Sequence, residues 1–103
     1  MEIVFHSHHA TISDRMQLRA RRGVDKIAQR LNRAIDAIIR FEQDGPIRRV
    51  EIVLHAPQHR NLIAEGTSKF FGPALADALG RLEEQVRKYK RPARERARRL
   101  ARV

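Results

Sequence analysis

Apolar residues recur along this chain with two different periods. From Pro73 to Arg91, Leu75, Leu79, Leu82, Val86 and Tyr89 return at steps of four and three, which predicts a helix with one continuous apolar seam and Pro73 at its first position. A second helical pattern follows Ser13, placed as N-cap, and Asp14; Met16, Ala20, Val24, Ile27 and Leu31 share one side of it. Gly23 falls on that buried side, where glycine costs about 1 kcal/mol relative to alanine, so its expected use is a close approach of the helix backbone to the sheet. Elsewhere the period is two. Ile3 and Phe5 share a face of a short strand over Glu2–His6. In Ala34–Glu42, Ala37, Ile39 and Phe41 oppose Asp36, Arg40 and Glu42. Val50, Ile52, Leu54 and Ala56 then alternate with Arg49, Glu51, Val53 and His55 up to Pro57. Asn61–Thr67 is a shorter strand containing Gly66.

The predicted fold class is therefore α+β, in the order β-α-β-β-β-α: a four-stranded sheet with two helices packed on one face and the other face open to water. A parallel pairing of the first two strands would need a right-handed crossover through the first helix. With 103 residues the chain makes one domain, expected over 1–90. Residues 91–103, RPARERARRLARV, form an Arg-rich tail in which Pro92 is expected to interrupt the helix and few apolar atoms favour order.

Charge changes the picture most. Lys and Arg number 22 against 12 Asp and Glu, a net charge of +10, more than solubility requires, and the excess is mostly arginine, whose planar fork suits phosphate. On the first helix Arg15, Arg19, Arg22, Lys26, Arg30 and Arg33 fall within a sector of about 80°, displaced roughly 120° from the apolar seam. Stacking like charges forgoes the i,i+4 pairs of a solvated helix, so the stripe points to a polyanion read through its backbone. Arg87, Lys88, Lys90 and Arg91 crowd the end of the second helix, more cations than its dipole requires. If the helices lie side by side, stripe and helix end join into one surface, with Arg40, Arg48, Arg49 and Arg60 off it.

The absence of cysteine excludes a disulfide framework and thiolate zinc, and no apolar run is long enough to cross a bilayer. The expectation is a soluble, cytoplasmic domain. His6, His8 and His9 cluster at the end of the first strand without a cysteine or carboxylate set to complete a metal site. His55 and His59 flank a turn, and Ser7, Ser13 and Ser68 lack a nucleophile-elbow setting. A small basic ribonuclease using two histidines as acid and base is the enzymatic alternative. The main reading assigns no catalytic residue, no metal ligand and no cofactor.

The element order over Met1–Lys90, the A-E-G at Ala64–Gly66 and the helix L-x-x-L-E-E-Q-V-R-K-Y-K from Leu79 to Lys90 resemble the ribosome hibernation-promoting factor family. That family includes the ribosome-associated inhibitor also called protein Y, once described as sigma-54 modulation proteins. Arg81, Leu82, Gln85, Val86, Lys88 and Lys90 match its pattern K-L-x-x-Q-L-x-K-x-K. The resemblance implies a non-enzymatic translation inhibitor lying in the messenger and transfer RNA channel of the small ribosomal subunit. Its partners would be that subunit and its ribosomal RNA, with no membrane and no small-molecule substrate, and the chain would be monomeric off the ribosome. The RNA-binding set is then Arg15, Arg19, Arg22, Lys26, Arg30, Arg81, Arg87, Lys88, Lys90, Arg91 and, in the tail, Arg94.

The segment TSKFFGP, residues 67–73, departs from the family: it is longer, and Phe70, Phe71, Gly72 and Pro73 replace an aspartate-aromatic start. Both phenylalanines are expected to pack at the sheet edge, with stacking on RNA bases as the alternative. A double-stranded RNA-binding module has a related layout but reads duplexes through short clusters rather than stripes on two helices. A DNA-binding helix-turn-helix is not seen in the pattern.

Overall fold

The computed structural model describes residues 1–31, 34–56 and 61–102, with side chains described as far as Lys88. The elements are β1 (Glu2–His8), α1 (Asp14–Ala28), β2 (Asp36–Asp44), β3 (Ile47–His55), β4 (Leu62–Ser68) and α2 (Phe71–Arg102). They build one four-stranded sheet in the order β1-β2-β3-β4. β1 runs parallel to β2, so α1 is the crossover, and β2, β3 and β4 pair antiparallel. This is the α+β architecture that the two periods predict.

Local chemistry explains where elements begin and turn. The Ser13 hydroxyl accepts the Met16 N–H at 3.1 Å and caps α1, with Asp14 at the positive end of the helix and Lys26 at the negative end. Between β2 and β3 the register Asp44↔Ile47 leaves a two-residue turn in which Gly45 takes φ 59° and Pro46 follows. Glycine at the first central position is what a type II′ hairpin asks for. β2 begins at Asp36, two residues after the expected Ala34, and β4 starts one residue later than expected.

The core is the helix-covered face of the sheet. Ile3, Ala37, Ile39, Phe41, Val50, Ile52, Leu54, Ala56, Leu62 and Ala64 point into it from the strands and their ends. Ala20, Val24, Ile27, Ala28, Ala74, Leu75, Ala78, Leu82 and Val86 meet them from the helices, with Leu31 from the turn after α1. Burying each large aliphatic side chain contributes roughly 1.5–3 kcal/mol, and no polar or charged side chain is buried among the described residues. The seam of α2 differs in detail from the expected one. Ala74 and Ala78 are fully buried, whereas Leu79 is only partly so.

Two glycines set the helix positions. A Cβ on Gly66 would run into the carbonyl oxygen of Ala74 and come within 2.7 Å of the Ala78 nitrogen, so α2 lies with its backbone directly on β4. Small residues at positions 74 and 78 permit that approach, and Gln85 fastens it by donating from Nε2 to the Ile63 carbonyl at 2.6 Å. Gly23 does not approach the sheet as expected. A Cβ there would lie 2.7 Å from Leu79 Cδ1, so the glycine admits a side chain of α2 and brings the helices together.

The expected break at Pro92 is also corrected, because α2 continues helical to Arg102. An interior proline removes one N–H and crowds the carbonyl four residues back, but the flanking alanines, arginines and glutamate are good helix formers. At about 1.5 Å per residue the helix is about 48 Å long, and it accounts for most of the 55 Å long axis of the molecule.

Candidate nucleic-acid interface

α1 and α2 run side by side in the same direction, since Arg19 approaches Gly72, Gly23 meets Leu79, and Arg30 meets Glu83. At about 100° per residue, Gly23 lies between the apolar seam of α1 and its cationic stripe. The side of α1 that touches α2 is therefore the side that carries Arg15, Arg19, Arg22 and Lys26; Arg30, expected on the same helix, lies in the turn after α1 because the helix ends at Ala28, and all five are exposed. Arg19 Nη1 sits 3.4 Å from where a Gly72 Cβ would be, at the start of α2. Arg30 Nη1 donates to Glu83 Oε1 at 2.9 Å. The same oxygen accepts Arg87 Nη2 at 3.1 Å, so one carboxylate gathers Arg87 of α2 and Arg30 of the turn after α1. The hydrogen bond from Arg30 holds the Glu83 carboxyl below its ordinary pKa. The charges of Arg30 and Arg87 act in the same direction, and partial desolvation opposes them.

The remaining candidates divide. Arg81 and Lys88 lie on the flank of α2 turned toward β4, about 100° or more around the helix from Arg87, and Arg81 is engaged by Asp77 at 3.5 Å. They do not join the stripe of α1. The side chains of Lys90, Arg91 and Arg94 fall outside the described residues, as does Arg33. Among the described residues Arg15, Arg19, Arg22, Lys26 and Lys88 have no carboxylate within ion-pair distance. Their charge is uncompensated at short range, which is the state that a phosphate chain neutralises with release of counterions.

The cations expected off this surface also divide. Arg40 and Arg49 lie on the open face of the sheet, paired with Glu51 at 3.3 Å and with Glu65 at 3.1 Å. Arg48 lies on the other side of the sheet from Arg40 and Arg49. Strand alternation turns it to the helix-covered face, where its guanidinium stands 5.8 Å over the Phe71 ring and donates to the Lys69 carbonyl. Arg60 falls outside the described residues.

The two phenylalanines separate. Phe71 packs edge-to-face on Phe41 at 5.6 Å, as expected for a residue at the sheet edge. Phe70 instead remains 67% exposed at the start of α2. Neither this exposure nor the Glu83 bridge was legible in the sequence. The i,i+4 spacing of Glu83 and Arg87 is a visible signal, but Arg30 is 53 residues away.

The histidines do not converge. The rings of His8 and His9 stand edge-on at 4.0 Å, and His55 Nδ1 lies 3.6 Å from Asp36. Among the described residues, His6 is the titratable group lining a cleft of about 330 Å³ formed with Phe5, Ser7, Ala10, Thr11, Ile12, Gln17 and Phe41. His59 falls outside the described residues. Among the described residues no group of three or more His, Cys, Asp or Glu is placed to hold a metal ion, and no helix is long and apolar enough to cross a membrane.

The fold and this face define a small α+β domain with a cationic helix layer over an open sheet. Residues 3–94 match the family described as Sigma 54 modulation protein / S30EA ribosomal protein, and the chain belongs to it. This is the hibernation-promoting factor family that the helix pattern of residues 79–90 resembles. The fold is similar to a ribosomal subunit interface protein from Coxiella burnetii, with a TM-score of 0.79 and 19% identity, covering 87% of this chain and 98% of that one. It is also similar to the N-terminal domain of Protein Y from Thermus thermophilus, with a TM-score of 0.77 and 20% identity, covering 86% and 99%. Comparison with curated proteins gives no match.

Proposed function

We propose that this protein binds the small ribosomal subunit through its helix layer, occupies the channel that messenger and transfer RNA use, and so holds translation off without catalysing any reaction. The observation that carries the reading is the uncompensated stripe Arg15, Arg19, Arg22 and Lys26, continued through Arg30 to Arg87 across the helix pair by Glu83. Such a surface follows a phosphate backbone rather than base edges. Membership of a family whose description names a ribosomal protein, and likeness to a protein named for the ribosomal subunit interface, supply the target. Phe70, exposed at the start of α2, is the side chain this reading assigns to stacking on an unpaired base. The protein acts in the cytoplasm as a monomer, and the Arg-rich tail, 91–103, adds cations to the same RNA.

The test is sedimentation with purified small subunits, large subunits, duplex RNA and DNA in one buffer, repeated across salt. Binding saturates on the small subunit, is displaced by messenger RNA, and weakens by several orders of magnitude between about 50 and 200 mM salt if six to ten phosphates are contacted. Equal binding to duplex RNA, or a flat salt response, contradicts it.

A further inference from the structure

The face of the sheet opposite the helices is acidic in a protein whose net charge is +10. Strand alternation places Glu2, Asp36, Glu42, Asp44, Glu51 and Glu65 on it, half of the twelve carboxylates of the chain, against two guanidinium groups, Arg40 and Arg49. Both arginines are already held there, Arg40 by Glu51 at 3.3 Å and Arg49 between Glu65 at 3.1 Å and Glu42 at 3.9 Å. Four negative charges remain uncompensated by arginine.

Across the middle of this face runs one apolar row. The register Val4↔Ile38, Ile38↔Val53 and Val53↔Ile63 aligns four aliphatic side chains, one from each strand. The row ends are open to solvent, Val4 at 39% and Ile63 at 53% exposure. It is flanked on one side by Glu2, Asp36 and His55, and on the other by His6, Arg40, Glu51 and Glu65. With strands about 4.8 Å apart the row is about 14 Å long, the reach of four or five residues of extended chain.

We infer that the open sheet face is a docking surface for a basic polypeptide segment, a stretch rich in Lys and Arg with aliphatic residues between them. The aliphatic side chains of that segment lie along the Val4–Ile63 row, and its cations meet the carboxylates on either side. Charge complementarity selects this occupant: surplus carboxylates repel RNA and anionic lipid alike, and they repel the same face of a second copy. The protein is thereby two-sided, with RNA on the helices and basic protein on the sheet. The inference takes ribosome binding as its setting, but its first test does not depend on it.

That first test titrates the free protein with the peptide KVKVKVK while backbone amide shifts are followed. Shifts should centre on Val4, Ile38, Val53 and Ile63, and Ile63→Lys should weaken binding about tenfold with the fold spectrum unchanged. Shifts elsewhere, or none, overturn the inference. The second test places a photoreactive benzoylphenylalanine at position 63, and separately at position 22, in protein bound to purified small subunits. Position 63 should cross-link to a Lys/Arg-rich segment of a ribosomal protein, identified by mass spectrometry, and position 22 to ribosomal RNA. Cross-linking of position 63 to RNA or to a second copy, or no cross-link while position 22 reacts, overturns the inference. Failure to sediment with subunits at all overturns the ribosome reading, and the peptide titration then decides this one alone.

Discussion

Arg30 and Glu83, 53 residues apart in the chain, meet at 2.9 Å and join the two helices at the point where their cations converge. Because the same carboxylate oxygen also takes Arg87 at 3.1 Å, Glu83 assembles the cationic surface while partly neutralising it. An RNA phosphate competes for the same two guanidinium groups. Glu83→Gln should therefore bind small-subunit RNA several-fold more tightly while the melting temperature at neutral pH moves little, as exposed ion pairs contribute little to stability. A weaker affinity in Glu83→Gln would mean that the bridge is needed to position Arg30 and Arg87.

The same pair gives a pH dependence with a definite sign. The Glu83 carboxyl is depressed in the folded protein, so in the acid range the unfolded chain binds the extra proton first. The stabilising share of Glu83 is complete above the ordinary glutamate pKa of about 4.3 and is lost as pH falls through the folded value. Thermal unfolding followed from pH 6 downward should show a smaller acid loss in Glu83→Gln than in the parent. Superimposable profiles would remove Glu83 from the acid sensitivity.

Gly66 and Gly23 should respond differently to alanine. At Gly66 the added methyl meets backbone, the Ala74 oxygen and the Ala78 nitrogen, so the contact of β4 with α2 must open, at a cost of about 3 kcal/mol or more. At Gly23 it meets the far end of a flexible leucine side chain, and the helix-propensity gain of about 1 kcal/mol offsets much of the crowding. Denaturant titration of the two variants checks the order. Equal losses would show that the helix pair is as rigid as the α2–sheet contact.

Phe70 and Phe71 should separate binding from stability. Phe71→Ala removes an edge-to-face contact with Phe41 and a partner of Arg48, and should lower the melting temperature. Phe70→Ala removes a side chain that is mostly in solvent and should leave the melting temperature in place. Its affinity for the small subunit should fall about 5- to 100-fold, the range expected for one stacked base. An unchanged affinity would leave Phe70 without a part in binding.

Cutting after Lys90 removes six arginines and one glutamate, a net of five positive charges. The core residues among those whose side chains are described all precede that point, and the melting temperature should hold while ribosome affinity and the steepness of its salt dependence both decrease. A large loss of cooperativity would make the tail part of the domain.

Much of this was legible in the sequence because one face of every element is apolar. Alternation at Ala37, Ile39 and Phe41 and at Val50, Ile52 and Leu54 fixes both strand identity and facing, since a slip of one residue would bury charge. The stripe of α1 was legible for the same reason, as a period. What could not be read was anything that depends on two elements meeting. Gly23 serves α2 rather than the sheet, which follows from the seat of α2 on β4 at Gly66; the facing of Arg48, in step with Val50 and Ile52, and the angle between Arg87 and Arg81 or Lys88 follow instead from the strand and helix periods. The continuation of α2 through Pro92 shows a different limit, because a local cost of about 3 kcal/mol does not by itself end a helix with good formers on both sides.

The most direct test of the account compares two pairs of charge removals, each lowering the net charge by two. Arg22→Gln with Lys26→Gln takes cations from the stripe, where neither has an ion-pair partner among the described residues. Arg40→Gln with Arg49→Gln takes them from the opposite face of the sheet. Affinity for purified small subunits, measured for both at about 0.1 M salt, should fall 10- to 100-fold for the first pair, the share of two phosphate contacts. It should stay within a few-fold of the parent for the second. Equal losses would mean that the protein binds as a diffuse cation, and the assignment of the interface to the helix layer would be wrong.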